Sequence, residues 1–240
     1  MRVTCLIPAW NEASRIAGVL ACVVGHPLID QVVVVDDGST DGTGAIAAAA
    51  GAELCIQTPN AGKSAAMARG LAAAQGDLVL MLDADLIGLT ADAVTALLTP
   101  VLSGRADVTI SLRANAPAVW RAIGLDFISG ERVMPRSMLT PHVQRIAGLP
   151  RFGLEVFINA QWLQGRCRLA VVPLAGVSSP AKATKRGVLR GIWSDVAMMA
   201  NILATVGPGQ VITQILRLRG LRVAVTELSC IVRTGVMRLR

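Results

Sequence analysis

The nine-residue stretch Leu78–Leu86 constrains the fold of this chain more than any other feature. Its sequence is Leu-Val-Leu-Met-Leu-Asp-Ala-Asp-Leu, so a run of large apolar residues ends abruptly in Asp83 and Asp85. Such a run, preceded by Gly76-Asp77, is typical of a strand buried on both faces, as in a parallel sheet. We therefore expect Asp83 and Asp85 at the carboxyl end of that strand, where open α/β sheets bind ligands.

The spacing of these two carboxylates fits a divalent cation. Residues two apart in an extended chain point to the same side, so Asp83 and Asp85 are expected to reach one ion. Mg²⁺ and Mn²⁺ take oxygen ligands and often bridge protein carboxylates to substrate phosphates. The alternative is that Asp83 caps the next helix and Asp85 is a solvated loop residue, because Asp-x-Asp alone is a weak motif.

Strands and helices alternate through the first hundred residues. Short apolar runs predict strands at Val3–Pro8, Gln31–Val35 and Glu53–Gln57, each followed by a segment with helical spacing. This alternation favours a parallel sheet with helices on both faces. Asp36 and Asp37 follow the second strand, so several carboxylates are expected at one edge. Their mutual repulsion favours a bound cation or a hydroxyl-rich ligand there.

The net charge of +7 conceals two halves of opposite sign. Residues 1–100 carry four Lys/Arg and ten Asp/Glu, whereas residues 101–240 carry nineteen Lys/Arg and six Asp/Glu. The acidic half suits a cation and the basic half suits an anion, such as a diphosphate or a phospholipid surface. Aromatic residues make up only 3% of the chain, which argues against nucleic acid as a partner.

The cysteines and the amino terminus indicate a cytoplasmic chain. Five cysteines are scattered without Cys-x-x-Cys spacing, which favours reduced thiols over a disulfide or zinc framework. The apolar run Val3–Ile7 is too short for a signal peptide.

Four segments together resemble the inverting family-2 glycosyltransferases of GT-A fold. These are Ile-Pro-Ala-Trp-Asn-Glu (7–12), Val-Val-Asp-Asp-Gly-Ser-Thr-Asp-Gly-Thr (34–43), Asn-Ala-Gly-Lys-Ser (60–64) and Asp-Ala-Asp (83–85). The resemblance implies an α/β, GT-A-like fold with a Rossmann-type, mostly parallel sheet, and a nucleotide-diphosphate sugar as donor. It also implies roles for particular residues: Pro8, Glu12 and Asp36 in the base and ribose pocket with Asp37 nearby, Lys63 near the nucleotide, and Asp83 and Asp85 on the diphosphate and metal.

The second half resembles the small bacterial polyprenol-phosphate sugar transferases of the same family. Ser129-Gly130-Glu131-Arg132 is similar to a Ser-Gly-x-Arg segment in which an arginine approaches the diphosphate. We predict helical segments over Val119–Met138, which would place Arg132 and Arg136 on one helix face. A solvated basic face explains that spacing equally well. Relatives carry a histidine near Ser178–Ser179, where this chain has serine.

Glu155 is the candidate catalytic base. It lies in Phe152-Gly-Leu-Glu-Val, which is similar to the Gly-x-x-Glu turn of the same transferases, and it is the lone acid in an apolar stretch. A buried carboxylate without a partner is costly, so a role near the acceptor is expected. The alternatives are a salt bridge to Arg132 or Arg151, or orientation of the donor or the metal.

The carboxyl-terminal region combines apolar and basic residues. Lys182, Lys185 and Arg186 form a basic cluster suited to a diphosphate or an anionic lipid. Residues 196–216 lack charge, but Gly207-Pro208-Gly209 breaks them into pieces too short to span a membrane. Contact with the inner face of the cell membrane is one interpretation. A packed helical pair or a homodimer interface is the other.

Together these patterns predict a GT-A domain at residues 1–187 and a helical extension at 188–240. Residues 1–100 would bind the nucleotide and residues 101–187 the acceptor. The predicted function is glycosyl transfer with a divalent cation, Mg²⁺ or Mn²⁺, to a polyprenyl phosphate or another anionic acceptor. The alternatives are a small soluble phosphorylated acceptor, or a non-catalytic protein that binds nucleotide sugars or docks to membranes.

Overall fold

The computed structural model describes residues 1–150, 152–179 and 207–224. Within them the chain forms seven strands and eight α-helices, with two short 3-10 turns before α6 at Arg136–Met138 and Thr140–His142. The elements in chain order are β1 Val3–Ala9, α1 Ile16–Val23, β2 Gln31–Asp36, α2 Thr43–Ala49, β3 Glu53–Ile56, α3 Lys63–Ala73, β4 Leu78–Met81, α4 Ala91–Leu102, β5 Val108–Arg113, α5 Ala118–Ile123, β6 Arg132–Pro135, α6 Val143–Ala147, α7 Gly153–Gln164, β7 Leu169–Leu174 and α8 Pro208–Gly220.

The seven strands form one sheet in the order β3-β2-β1-β4-β6-β5-β7. Every neighbouring pair is parallel except the two that involve β6, which runs antiparallel to β4 and β5. All four residues of β4 are buried, as expected for a central strand covered on both faces. The prediction of a Rossmann-type, mostly parallel sheet flanked by helices is confirmed.

Two apolar layers cover the sheet. One contains the inner faces of α1 and α4, represented by Val19, Leu20 and Leu97, and the other contains residues of α3, α7 and α8. The start of α4 follows its sequence: the Thr90 hydroxyl accepts a hydrogen bond from the backbone N–H of Ala93, which satisfies a free donor at the helix start. These layers hold the carboxyl ends of β1, β2 and β4 at a common edge.

The prediction of helical segments over Val119–Met138 is wrong in its second part. After α5 the chain enters β6, so Arg132 lies in a strand, and Arg136 begins a 3-10 turn. The two arginines therefore share no helix face. The pairing of β6 with two strands distant in sequence decides its conformation, and local spacing carries no signal of that pairing.

The described part of the carboxyl-terminal extension packs onto the domain. Val211, Ile215 and Leu218 of α8 are buried in the layer that contains α7. The backbone of Leu169 exchanges hydrogen bonds with Leu221 and Val223, which places this segment beside β7. Residues 207–224 thus contribute to the core that covers the sheet. Across the three described ranges, the helices are all too short or too polar to cross a membrane.

Candidate active site

A cavity of about 780 Å³ opens at the carboxyl edge of the parallel strands. This volume lies within the range of small-molecule binding sites. The loops after β1, β2 and β4, the end of β5 and the first turns of α3 and α7 form its walls. Seven charged side chains line it: Glu12, Asp37, Lys63, Asp83, Asp85, Arg113 and Glu155. Pro8, which the sequence also predicts as a site residue, contributes to the wall as well.

Asp37 fixes the start of α3. Its carboxylate accepts hydrogen bonds from the backbone N–H groups of Ala61 and Gly62 at 2.9 and 2.8 Å, and from the side chain of Gln57 at 2.6 Å. An acidic group that binds free N–H groups at a helix start also interacts favourably with the helix dipole. Asp37 thereby sets the position of Lys63, the first residue of α3.

Lys63 connects two carboxylates from distant parts of the chain. Its Nζ donates hydrogen bonds to Asp83 Oδ1 at 2.7 Å and to Glu155 Oε1 at 3.0 Å. Burial opposes the charge of Lys63, but the two carboxylates outweigh it and raise the pKa of the ammonium group. Burial likewise disfavours the charge of Asp83, and Lys63 more than compensates, so the pKa of Asp83 is lowered. Lys63 is thus a fixed cation in the cavity.

Asp85 is the cavity carboxylate whose oxygens have no partner among the described residues. It makes neither a hydrogen bond nor an ion pair with the residues that the structure describes. Burial, together with the nearby charges of Asp83 and Glu12, raises the pKa of Asp85 to about 6. Its oxygens remain free for a ligand. A bound cation would offset the repulsion that contributes to this shift.

Arg113 is a cavity residue that the sequence analysis missed. It is the last residue of β5, its side chain is 12% exposed, and it lies on the cavity wall. Burial opposes its charge, but the carboxylates of Glu131 and Asp126 outweigh burial and raise the pKa of the guanidinium. Its place at a strand end is the signal that could have revealed it, because the same reasoning located Asp83 and Asp85.

Three predicted site residues do not line the cavity. The carboxylate of Asp36 accepts a hydrogen bond from the backbone N–H of Ser39, so it closes the loop after β2 instead of facing the cavity. Arg132 is fully buried below the cavity. Its guanidinium donates to the backbone oxygens of Ser129 and Phe127 and to Asn159, and burial lowers its pKa to about 10.

Arg136 lies at the opposite edge of the sheet. Its Nε donates to the backbone oxygen of Gly76, and its own N–H donates to Asp77, next to the start of β4. Asp83 follows the other end of that strand, so Arg136, which we predict as a nucleotide-sugar-binding residue, lies away from the cavity in this structure. Lys182, Lys185 and Arg186 lie outside the described residues.

Glu155 is buried in the first turn of α7, where it is 5% exposed. The partner of its carboxylate is Lys63, whereas the sequence suggested Arg132 or Arg151 as partners. Residue 151 is not among the described residues. Glu155 therefore faces the cavity and the Asp83–Lys63 pair at the same time.

A sheet of this order with an Asp-Ala-Asp turn at the mouth of a nucleotide-sized cavity defines the GT-A class of fold. Residues 4–147 match the family model described as "Glycosyl transferase family 2". Because this match covers more than half of the chain, the chain belongs to glycosyl transferase family 2.

Two curated relatives illustrate the family. Glucosyl-3-phosphoglycerate synthase from Mycolicibacterium smegmatis is 34% identical over 110 residues, which is 42% of this chain and 36% of the relative. 4,4'-Diaponeurosporenoate glycosyltransferase from Staphylococcus aureus is 36% identical over 101 residues, which is 40% of this chain and 27% of the relative. The matched part is thus little more than a third of the first relative's length and about a quarter of the second's.

Solved structures extend the likeness over most of the fold. Glucosyl-3-phosphoglycerate synthase from Mycobacterium tuberculosis, in complex with Mn²⁺ and uridine-diphosphate-glucose, aligns with a TM-score of 0.64 and 26% identity. That alignment covers 86% of this chain and 79% of the other. A complex of the same enzyme with phosphoglyceric acid aligns with a TM-score of 0.67 at 24% identity, over 89% and 80% of the two chains.

Proposed function

We propose that this chain transfers a sugar from a uridine-diphosphate sugar to an anionic acceptor, with inversion at the anomeric carbon. The observation that carries this proposal is the meeting of Asp83, Asp85 and Lys63 in one cavity at the carboxyl edge of the sheet. A diphosphate leaving group needs positive charge at the point where it departs. The relative that binds Mn²⁺ and uridine-diphosphate-glucose supports the same donor class.

The charge of the cavity supports a divalent cation as cofactor. Five carboxylates and two cations line it among the described residues, so an anionic donor would meet a net negative wall. Those ranges contain no cluster of three or more His, Cys, Asp or Glu side chains arranged for a metal. Two carboxylates suffice for Mg²⁺ or Mn²⁺, because substrate phosphates and water supply the other ligands. The free oxygens of Asp85 fit this role.

The reaction is a single displacement. An acceptor oxygen forms a bond to the anomeric carbon while the bond from that carbon to the diphosphate oxygen breaks, and the electron pair leaves with the diphosphate. Asp83 and Asp85 would hold the cation, which when bound acts as a Lewis acid toward the leaving group. Lys63 and Arg113 add fixed positive charge in the same cavity.

The role of Glu155 depends on the acceptor. A hydroxyl acceptor needs a base, and Glu155 is the candidate because it lines the cavity. An acceptor that attacks through a phosphate oxygen is already ionised and needs no strong base. In that case Glu155 holds Lys63 in place through the 3.0 Å contact. Arg132 then acts only from below, as a buried counter-charge.

The acceptor is either a small phosphorylated acid or a lipid phosphate. The first is the acceptor class named in glucosyl-3-phosphoglycerate synthase. The second, a polyprenyl phosphate reached at the cytoplasmic membrane face, is favoured by α8. Ile212 and Leu216 of that helix are 58% and 60% exposed, and Arg217 and Arg219 lie in its last turn. Apolar side chains beside arginines suit a membrane interface.

Product analysis tests the proposal. The protein is incubated with Mn²⁺, uridine-diphosphate-glucose and either phosphoglyceric acid or polyprenyl phosphate in anionic vesicles. We expect uridine diphosphate and a glycosylated acceptor in one arm. Glucose 1-phosphate, released when the uridylyl group is transferred, would indicate nucleotidyl transfer instead, and binding without any product would indicate the non-catalytic alternative.

Binding of Mn²⁺ is expected to weaken in mild acid. The pKa of Asp85 is about 6 and its ordinary value is 3.8, so its carboxylate takes up a proton as the pH falls from 7 to 5. Protons compete with metal for this ligand, so Mn²⁺ affinity in the presence of uridine diphosphate should fall about tenfold. Titration calorimetry at pH 5, 6 and 7 measures the change in Mn²⁺ affinity. In Asp85→Asn, the part of the pH dependence that comes from protonation of Asp85 should be absent. An affinity independent of pH would exclude Asp85 as a ligand.

Replacing Gly130 with alanine is expected to weaken Mn²⁺ binding about tenfold, because misplaced ligands lose affinity steeply. A Cβ at Gly130 would overlap the carboxylate of Asp83, so Asp83 must move away from Lys63. Gly18→Ala is the matched control, since a Cβ there meets nothing within 4 Å. Equal Mn²⁺ affinity in the two variants would show that Asp83 is not held where the metal needs it.

A further inference from the structure

Two fully buried acids lie behind the cavity without lining it. Asp126 and Glu131 are 0% exposed, and Glu131 Oε1 and Asp126 Oδ1 lack a hydrogen-bond partner among the described residues. Burial raises the pKa of Asp126, although Arg113 opposes this shift. Burying carboxylates is costly even when they are paired, and apolar packing often stabilises a core as well or better. These acids therefore need an explanation other than stability.

Both acids contact Arg113. Its Nη2 lies 3.1 Å from Asp126 Oδ2 and its Nε lies 3.6 Å from Glu131 Oε2. Glu131 Oε2 is held in turn by the hydroxyls of Ser111 and Ser129 at 2.5 and 2.6 Å. The carboxylate that faces Arg113 is thus fixed by neighbouring strands and loops.

A second nitrogen of the guanidinium forms a hydrogen bond, whereas Nε faces Glu131 at a distance too long for one. Nη1 of Arg113 donates to the hydroxyl of Ser179, and Ser179 is tied to Asn115 through its backbone. A guanidinium carries five N–H donors. Ser179 and Asp126 accept from one N–H each on Nη1 and Nη2, and Nε–H faces Glu131 without a hydrogen bond, so one N–H on each of Nη1 and Nη2 remains for a ligand. The side chain reaches the cavity wall with its orientation already determined.

We propose that Asp126 and Glu131 are positioning residues that hold Arg113 as a preformed clamp for phosphate oxygens of a bound substrate. This inference deepens the proposed function and rests on it for the kind of substrate. An unrestrained arginine would lose side-chain entropy when it binds an anion, whereas a fixed one has already lost it. A planar guanidinium matches phosphate geometry with two parallel hydrogen bonds.

Phosphate oxygens occur on both the donor and the acceptor. Arg113 lines the same cavity as Asp83 and Asp85, so it can contact a diphosphate bound there. Through Ser179 it also adjoins the loop after β7, on the acceptor half. Uridine diphosphate with Mn²⁺ and phosphoglyceric acid are therefore measured as separate probes.

The test is a double-mutant cycle between Glu131→Gln and Arg113→Met. The glutamine keeps the shape of Glu131 and its bonds to the serine hydroxyls but removes the charge. We expect Glu131→Gln alone to raise the Kd of one probe about fivefold to tenfold, as for a charged hydrogen bond that loses alignment. In the Arg113→Met background the same change should have no further effect. Asp107→Asn is the matched control, because it removes the carboxylate of the surface pair with Arg168 and should leave both Kd values unchanged.

Equal losses in the two backgrounds, or unchanged Kd values for both probes, would overturn the inference. If Glu131→Gln does not fold, Asp126→Asn is expected to give the same pattern and is judged by the same criteria. The proposed function is scored separately by the release of uridine diphosphate. If the protein transfers sugar but the effects of the two substitutions on Kd are additive, only the clamp is rejected. If the two substitutions are coupled in their effects on Kd but the protein transfers no sugar, only the proposed function is rejected.

Discussion

Replacing Asp85 with asparagine is expected to slow sugar transfer by about a thousandfold. Asp85 offers free carboxylate oxygens in the cavity. Burial and the charges of Asp83 and Glu12 raise its pKa, and a bound cation would offset the repulsion from those two carboxylates. Asparagine keeps the size of the side chain but removes the charge that holds the metal. The departing diphosphate would then carry its charge into a cavity whose wall is negative. Release of uridine diphosphate at saturating Mn²⁺ measures the effect.

The same substitution is not expected to destabilise the fold. A raised pKa means that the ionised form of Asp85 is less favourable in the folded chain than in the unfolded chain, so its charge lowers stability above pH 6. Asp85→Asn should therefore melt at the same temperature as the unaltered protein or higher. Asp92→Asn, on the exposed first turn of α4, is the control for the chemical change itself. Turnover close to normal in Asp85→Asn would contradict the assigned role.

The edge that carries the site could be predicted because the sequence marks it locally. An apolar run that stops at Asp83 and Asp85 is both a buried strand and its end, and β4 ends at Met81 just before them. The apolar pattern that predicts the strand also shows where the strand ends, and the ends of parallel strands are where such sheets bind ligands. In detail β4 ends before Asp83, and Ala84 and Asp85 lie in a turn, so the two carboxylates are not residues of a continuous strand.

The residues that the sequence placed wrongly depend on long-range pairing. Arg132 and Arg136 fit a helix by spacing, yet β6 pairs with β4 and β5, which buries Arg132 and carries Arg136 to the far edge. Between Asp36 and Asp37, only the geometry of the loop decides which carboxylate faces the cavity. Arg113 was missed because the apolar pattern of Ala106–Ile110 predicts a strand that ends at Ile110, whereas β5 extends three residues further.

Lys63 shows the same limit in another form. Its position before a helix is evident from the sequence, but its partner Glu155 is 92 residues away. Only the packing of α7 against the cavity brings the two together. That pairing makes Lys63 part of the site and part of the fold, and the two roles can be separated experimentally.

Replacing Lys63 with methionine is expected to reduce transfer about a hundredfold and to lower the free energy of unfolding by about 1–2 kcal/mol. The loss of activity follows from the missing positive charge beside the diphosphate. The loss of stability follows because Glu155, whose side chain is 6% exposed, keeps its charge without a partner. The figure lies below that for a fully buried pair because the Lys63 side chain is 38% exposed to water in the cavity. Arg69→Met, on the exposed side of α3, is the matched control.

Adding Glu155→Gln to Lys63→Met separates the two roles. Glutamine removes the unpaired charge, so most of the lost stability should return, while transfer should stay at least a hundredfold below normal. Denaturant unfolding and release of uridine diphosphate give the two readings on the same samples. Recovery of both would mean that Lys63 serves only to neutralise Glu155. Recovery of neither the stability nor the activity would mean that Glu155 does not carry the stability effect, and that the 3.0 Å contact contributes little to the fold. The separation is expected because Asp83, the other partner of Lys63, faces the substrate side of the cavity and still lacks its cation in the double variant.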